Sequence, residues 1–207
     1  MKIKYPRTFH LPWSPGATSD DKMLKSIEHF IGEKIVITAK MDGENTSCYS
    51  DYIHARSIDG RSHPSRDWLK QFHGTFKHNI PDNWRICGEN LYAKHSIAYD
   101  NLPSYFMVFS IWDAHNNALS WDDTEEWCKM LELCHVPVLY KGIFDESKVK
   151  EFNNIIKNNQ EGYVVRLAES FSYDNFDKSV AKFVRPNHIQ TESHWAHSEI
   201  IPNKLMN

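Results

Sequence analysis

The chain has 207 residues, 41% of them hydrophobic and 25% charged, which is typical of a folded domain with a buried core. Its formal net charge of −3 argues against a polycation that coats nucleic acid over its whole surface, but it allows a local basic groove. No apolar run approaches the roughly 20 residues that cross a membrane. With no signal-peptide pattern at the N-terminus and no CxxC among the four cysteines, we expect a cytoplasmic protein with reduced thiols.

The first part of the chain is predicted to form an irregular leader followed by a helix. Three prolines and one glycine fall within residues 6–19, which argues against regular structure there. Ser19 or Asp20 can cap a helix that runs to about Phe30, because the apolar residues in between recur at helical spacing.

The rest of the chain is predicted to alternate strands and helices. β-branched and apolar residues predict a strand at 34–40, and Asp42-Gly43 is a turn signal directly after it. Further strands are predicted at 46–50, 52–56, 84–92, 106–112, 162–167 and 179–184, and helices at 64–78, 122–134 and 145–158. The basic and aromatic residues of 61–78 fit either an amphipathic core helix or a helix that lies along a duplex backbone. The tail from Pro186 is expected to end in a short helix.

These elements predict an α+β fold. Strands and helices alternate irregularly, without repeated βαβ spacing, which favours packed, mainly antiparallel sheets with flanking helices over a doubly wound sheet. Because the chain has no internal repeat and no Gly/Ser linker, we expect residues 1–207 to form a single domain.

Lys40 is the first candidate for a reactive group. It ends a strongly apolar strand and precedes a tight turn, so it would project from a rigid sheet, where burial favours the neutral amine. By itself the pattern Lys40-x-Asp42-Gly43 is short enough to occur by chance, and Lys40 could be a solvated charge.

The segments that follow Lys40 strengthen this hypothesis. In chain order they are Lys40-x-Asp42-Gly43, Arg56-Ser57, Gly88-Glu89-Asn90-Leu91, the segment 106–113, Glu161-Gly162 and Ala181-Lys182-Phe183-Val184-Arg185. The residue types of these segments and their order along the chain resemble motifs I, Ia, III, IIIa, IV and V of the covalent nucleotidyltransferase superfamily, which includes ATP-dependent ligases and capping enzymes. The closest likeness is to the RNA ligase 2-like branch, whose domain has an ATP-grasp-like ligase fold.

The resemblance implies a role for each motif. Lys40 would be the nucleophile that takes AMP from ATP, Glu161 would hold the metal ion, and Lys182 would neutralise the α-phosphate. Glu89 would accept hydrogen bonds from ribose hydroxyls. The Phe109 ring would stack on adenine, although Phe106 or Trp112 could be that ring instead. Asn45 and Arg56 would engage the reacting RNA end. Arg185 would contact pyrophosphate or strand phosphates, or be an ordinary surface charge.

The sequence departs from this pattern in three places. Thr38 and Ala39 stand where many relatives have a carboxylate that reads the adenine amino group, so Thr38 or backbone groups would bind the base. Val180 replaces the first lysine of Lys-x-Lys in motif V, and Ser110 replaces an aspartate in motif IIIa. About 20 residues follow motif V, so we expect no C-terminal OB-fold or helical domain.

The sequence therefore predicts an ATP-dependent RNA ligase that uses Mg²⁺, with Mn²⁺ as a possible substitute. Its partner would be RNA, as a nicked duplex or as strand ends, with an accessory protein or domain for strand binding a further possibility. A nick-sealing DNA ligase, a capping-type nucleotidyltransferase and a non-catalytic module that binds nucleic acid ends are the alternatives. Cations near Lys40, namely Mg²⁺, Lys182 and Arg56, are expected to depress its pKa.

Overall fold

The computed structural model describes residues 2–58, 63–156, 160–186 and 200–206, which form two β-sheets and short flanking helices. The strands are β1 (Phe9–His10), β2 (Lys34–Lys40), β3 (Glu44–Cys48), β4 (Ile53–Ala55), β5 (Arg85–Asn90), β6 (Phe106–Trp112), β7 (Asn117–Ala118), β8 (Cys134–His135), β9 (Val138–Ile143), β10 (Gly162–Leu167), β11 (Phe171–Ser172) and β12 (Val180–Val184). The α-helices are α1 (Asp67–Phe76), α2 (Trp121–Met130), α3 (Glu146–Ile155) and α4 (Phe176–Ser179).

The strands form one five-stranded and one seven-stranded sheet. The first has the order β1-β12-β10-β2-β9; the second runs β11-β7-β6-β5-β3-β4, with β8 paired to β6. All pairs are antiparallel except β1 with β12 and β6 with β8. The predicted α+β fold of mainly antiparallel sheets is confirmed.

Alternation along β2 gives the five-stranded sheet two different faces. Ile35 and Ile37 are fully buried in a core cluster with Tyr163 and Val165 of β10, covered by Val149 of α3. Because side chains on a strand alternate between faces, Thr38 and Lys40 point to the other side. That side faces the cavity described below.

The predicted helix from Ser19 or Asp20 to Phe30 is wrong. Only a single 3₁₀ turn, Glu28–Phe30, forms there. The reason is competition for backbone groups: His10 N–H donates to the carbonyl of Lys22, and Leu24 N–H donates to the carbonyl of His10. Bonding to the leader therefore replaces the bonds that a helix would need.

The other predicted helices form, with shorter bounds. The prediction at 64–78 corresponds to α1 between two 3₁₀ turns. Its Trp68 and Phe72 pack against a core cluster that includes Phe106, which favours the amphipathic core helix over a duplex-binding one; residues 59–62 lie outside the described residues. Helix α2 ends at Met130, and Cys134, expected in that helix, starts β8. Helix α3 ends at Ile155, and the last two residues predicted for it, 157 and 158, also lie outside the described residues.

The described end of the tail contains no helix. Residues 200–206 are extended and form isolated bridges from Pro202 to Ala93 and from Leu205 to Leu102. These contacts offer the tail backbone an alternative to helical bonds; residues 187–199 lie outside the described part. Within the described residues, none of the helices has the length and apolar character to span a bilayer.

Candidate active site

A cavity of about 240 Å³ opens between the two sheets. Strands β2, β10 and β12 line one wall, strands β3, β5 and β6 line another, and the leader closes a third. Five cationic side chains and two carboxylates line it: Arg7, Lys40, Arg56, Arg166, Lys182, Asp21 and Glu89. The cavity is therefore cationic, although the whole chain carries a formal charge of −3.

Sheet register brings the predicted lysines together. Val164 in the central strand β10 lies beside Thr38 of β2 on one side and beside Lys182 of β12 on the other. Two residues along, Gly162 lies beside Lys40. A Cβ at Gly162 would clash with the carbonyl of Phe183, so this position needs a glycine for β10 and β12 to approach.

Lys40, which lines the cavity, forms an ion pair with Glu161, which is not part of the lining. Its Nζ donates to Oε2 of Glu161 at 2.5 Å, and the two side chains are 24% and 10% exposed. Burial lowers the pKa of Lys40, but the charges of Glu161 and Glu89 together with this hydrogen bond outweigh it, so the pKa is raised above its usual value. The prediction that Lys182 and Arg56 depress the pKa is wrong for the protein's own charges, because the carboxylates are nearer neighbours.

Glu89 of β5 faces the same space. Burial raises the pKa of its carboxyl to about 8; Lys40 opposes this shift, and Glu161 and Asp42 add to it. Asp42 itself is held by the loop that follows β5, since its carboxylate accepts from Ile97 N–H at 2.7 Å. Because neighbouring carboxylates add to the raised pKa of Glu89, an added positive charge near Glu89 would be favourable.

These carboxyl groups suit a metal ion that is bound partly by the protein and partly by a bound molecule. Within the described ranges, no group of three or more His, Cys, Asp or Glu side chains is arranged to hold a metal ion. Mg²⁺ typically uses one or two carboxylates and completes its shell with phosphate oxygens and water. The Glu161 carboxylate, with Glu89 nearby, suits that mode of binding.

The structure distinguishes among the three rings considered for adenine. Phe109 lines the cavity and meets Tyr5 edge-on at 5.0 Å between centroids. Phe106 and Trp112 are fully buried in core clusters and are not part of the cavity lining. Thr38 and Ala39 also line the cavity, as does Ser110, whose buried hydroxyl has no hydrogen-bond partner in the part of the chain that the structure describes.

Two of the three residues predicted to bind the RNA end lie at the cavity. Asn45 of β3 and Arg56 both line it, and Arg56 N–H donates to the carbonyl of Asn45 at 2.9 Å. The side-chain oxygen of Asn45 is buried and has no hydrogen-bond partner among the described residues. Arg185 is not in the lining, and its Nε donates to the carbonyl of Gln160 at 2.8 Å.

Sequence reasoning assigned no role to four titratable residues of the lining. Tyr5, Arg7 and Asp21 come from residues 5–21, called the leader from here on, and no local pattern indicates that this segment folds back over the cavity. Arg166 lies four residues after the Gly162 of motif IV, and alternation along β10 places it on the face of Val164. It is 3% exposed and donates to the carbonyl of Leu119 at 2.7 Å, so it ties β10 to the chain before α2.

Antiparallel sheets around a lysine-bearing cavity define a nucleotidyltransferase type of fold. The profile of the RNA ligase family matches residues 33–184, which include Lys40, Glu89, Glu161 and Lys182. The chain therefore belongs to the RNA ligase family. No curated protein sequence matches it.

Several solved ligases are similar in fold. An apo mutant of the Naegleria gruberi RNA ligase matches with a TM-score of 0.53 and 19% identity, over 77% of this chain and 51% of that one. Another mutant of that ligase, with ATP and Mn, matches with a TM-score of 0.54 and 17% identity, over 88% and 60%. An archaeal ATP-dependent RNA ligase matches with a TM-score of 0.57 and 18% identity, over 88% and 48%. The chain thus spans about half the length of the ligases it matches.

Proposed function

We propose that this protein is an ATP-dependent RNA ligase that joins a 5′-phosphate to a 3′-hydroxyl through lysyl-AMP and adenylylated RNA. One observation carries the proposal: the Lys40 amine lies in a cationic cavity, 2.5 Å from the Glu161 carboxylate, and only strand β10 separates its strand from that of Lys182. Family membership and the ATP-bound relative support the same chemistry.

The first step would charge the protein. Lys40 Nζ attacks the α-phosphorus of ATP; an N–P bond forms, the bond to the pyrophosphate oxygen breaks, and the amine loses its proton. Lys182 stabilises the charge on the α-phosphate, Glu89 binds the ribose, and Phe109 and Thr38 hold the base. Glu161 would hold Mg²⁺ or Mn²⁺, whose charge would neutralise phosphate oxygens.

The next steps would transfer AMP and seal the strand. An oxygen of the RNA 5′-phosphate attacks the same phosphorus, the N–P bond breaks, and Lys40 regains its proton. The 3′-hydroxyl then attacks the activated 5′-phosphate, and AMP leaves. Arg56 suits the terminal phosphate, because in the described part of the chain no carboxylate pairs with it. Asn45 suits a hydroxyl, since its side-chain oxygen lacks a donor.

Arg185 has a weaker place in this scheme. Its guanidinium is directed at the Gln160 carbonyl beside Glu161 rather than into the cavity. For Arg185 we therefore propose a contact with an RNA strand phosphate outside the cavity and no contact with pyrophosphate inside it.

A labelling experiment tests the proposal. The protein is incubated with α-labelled ATP and Mg²⁺, denatured, and examined for retained label. We expect label in the wild type and in Lys34→Ala, and none in Lys40→Ala. Lys34 is the matched control because it is the exposed lysine at the opposite end of β2.

Three outcomes would contradict the proposal in different ways. Absence of label from ATP and GTP would exclude an enzyme of this class and leave an end-binding module. Label from GTP alone would indicate a capping-type enzyme. Label that persists in Lys40→Ala would identify a different nucleophile. Sealing assays on nicked RNA, nicked DNA and single strands would then separate RNA ligation from DNA ligation.

A further inference from the structure

The leader follows the strand that carries Lys182. Strand β1 runs parallel to β12, with His10 directly beside Lys182. Leu11 N–H donates to the carbonyl of Lys182 at 2.8 Å, and Gly16 N–H donates to the carbonyl of Val184 at 2.9 Å. The leader is therefore fixed to β12 on both sides of the lysine.

This attachment places a carboxylate against the lysine. Asp21 Oδ1 lies 3.4 Å from Lys182 Nζ, and Asp21 lines the same cavity. Its other oxygen accepts from the Thr18 amide at 3.2 Å and from the Thr18 hydroxyl at 3.0 Å. The carboxylate is thus held on one side by the leader backbone and aimed on the other at Lys182.

His10 closes the space behind this pair. Its Nε2 lies 3.4 Å from Asp21, and its Nδ1 lies 2.8 Å from the hydroxyl of Ser14, which accepts from Val184 N–H at 2.9 Å. Burial and the Lys182 charge lower the pKa of His10 to about 4. The ring is therefore neutral at pH 7 and adds no positive charge that would compete with the lysine for Asp21.

Lys182 needs such a partner because it lies among other charges. Burial and the nearby Lys40 lower its pKa, whereas Asp21 and Glu161 act in the opposite direction. Val180, two residues earlier on the same face of β12, also lines the cavity but carries no charge. A single lysine has to be protonated and correctly aimed by itself.

We propose that Asp21 is a positioning residue for Lys182: its carboxylate, supplied by the leader, holds the Lys182 ammonium at the cavity wall where the α-phosphate would bind. The inference rests on the proposed function and gives the leader a part in it. In this proposal Asp21 takes no part in bond making or breaking and acts through Lys182.

The test compares Asp21→Asn with the wild type in single-turnover lysyl-AMP formation between pH 6 and 10. Asparagine keeps the shape of the side chain and removes the charge. We expect the rate at saturating ATP to fall about tenfold to hundredfold, since small misplacements of a phosphate-binding group are costly. The ATP concentration for half-maximal rate should change less than the rate does.

The pH profile separates positioning from a structural role. Without the Asp21 charge, the pKa of Lys182 falls, because Lys40 and burial are then opposed only by Glu161. The loss of rate at alkaline pH should therefore begin at a lower pH in Asp21→Asn. Asp21→Glu should restore most of the rate and move the alkaline limb back.

Asp20→Asn is the matched control, because Asp20 is the exposed neighbour and its substitution changes the net charge equally. It should behave like the wild type. An Asp21→Asn protein with an unchanged rate, or with a lower melting temperature and an unmoved alkaline limb, would overturn the inference. A wild type that takes no label would instead overturn the proposed function, and the inference with it.

Discussion

The reactivity of Lys40 depends on the carboxylates around it. An ammonium paired with Glu161 at 2.5 Å cannot attack phosphorus, because its lone pair is bonded to a proton. A cation that binds Glu161 would weaken this pair and favour the neutral amine. Glu161 would then hold the lysine in an inactive form until metal and nucleotide arrive.

This dual role of Glu161 gives a prediction with an unusual sign. Glu161→Gln removes the strongest partner of the Lys40 ammonium and should lower the pKa of Lys40, which by itself favours attack. We nevertheless expect lysyl-AMP formation to fall by about a hundredfold or more, because the metal loses its carboxylate. Labelling at several Mg²⁺ concentrations checks this, with exposed Glu169→Gln as the control. A faster reaction in Glu161→Gln would show that the residue only restrains Lys40.

Glu89 predicts a pH dependence of stability. Its folded-state pKa of about 8 lies above the ordinary value of 4.5, so its contribution to stability is complete below pH 4.5 and is lost as the pH rises towards 8. The free energy of unfolding should fall over this range by up to about 1.4 kcal/mol per pH unit. In Glu89→Gln this slope should be absent, so the variant should be more stable than the wild type at pH 8.

Urea denaturation at pH 5 and pH 8 measures the effect. Glu33→Gln serves as the control, because Glu33 is exposed. Equal slopes in the wild type and Glu89→Gln would mean that Glu89 is ionised throughout this range.

At the scale of elements, β10 organises the site. It lies between β2 and β12, so it sets the spacing of Lys40 and Lys182, and it follows directly on Glu161. Gly162 is the point of closest approach to β12. The packing of β2, β10 and β12 therefore depends on a glycine at position 162.

Gly162→Ala should separate β10 from β12. The added Cβ would clash with backbone, which cannot move like the end of a side chain, and we expect a loss of about 1–3 kcal/mol in stability together with weaker lysyl-AMP formation. Gly74→Ala is a matched control in α1, where an added Cβ meets nothing within 4 Å. It should be neutral or stabilising by up to about 1 kcal/mol. Thermal and urea denaturation of both variants decide whether the close approach at Gly162 matters.

The sequence predicts some of these elements much better than others. β2, β6 and β10 have the predicted bounds, because runs of β-branched and apolar residues indicate strands strongly. The residues after Ser19 have the spacing of a helix, yet they bond to His10 instead. A periodic pattern indicates which side chains can be buried together. It does not indicate that another segment of the chain will compete for the backbone hydrogen bonds.

At the scale of the whole molecule, charge is distributed unevenly. The cavity is lined mainly by cations, and the chain as a whole is slightly acidic. A polyanion should therefore be drawn to the cavity and not to the rest of the surface. Binding should depend on salt through the few cations that contact phosphate.

Arg56→Gln tests this distribution. We expect weaker binding of a 5′-phosphorylated oligonucleotide and a slope of log K against log salt that is less steep by about 0.7 for a single strand. Lys4→Gln, which removes an exposed positive charge outside the cavity lining, should leave the slope nearly unchanged. The same loss for a 5′-hydroxyl oligonucleotide would show that Arg56 binds the strand backbone rather than its terminal phosphate.

The candidate site could be predicted only in part from the sequence. Lys40, Glu89 and Lys182 belong to short motifs whose types and order are visible in the sequence, and the cavity lining includes all three. Asp21 and Arg7 belong to no such motif, and their place depends on the pairing of β1 with β12 across about 170 residues of chain. The direction of the Lys40 pKa shift likewise depends on distances that spacing along the chain does not contain.

The order of strands in the five-stranded sheet also bears on synthesis by the ribosome. β2 is made early, but both of its neighbours, β9 and β10, lie at least about 95 residues later. At about 5–20 residues per second, a nascent chain would wait on the order of 6 to 25 s between Lys40 and Gly162. During that interval β3 to β6 can pair among themselves, whereas β2 has no neighbouring strand until β9 is made and gains β10 only at the end. Vectorial translation would thus complete the centre of the seven-stranded sheet before the cavity that contains Lys40 and Lys182.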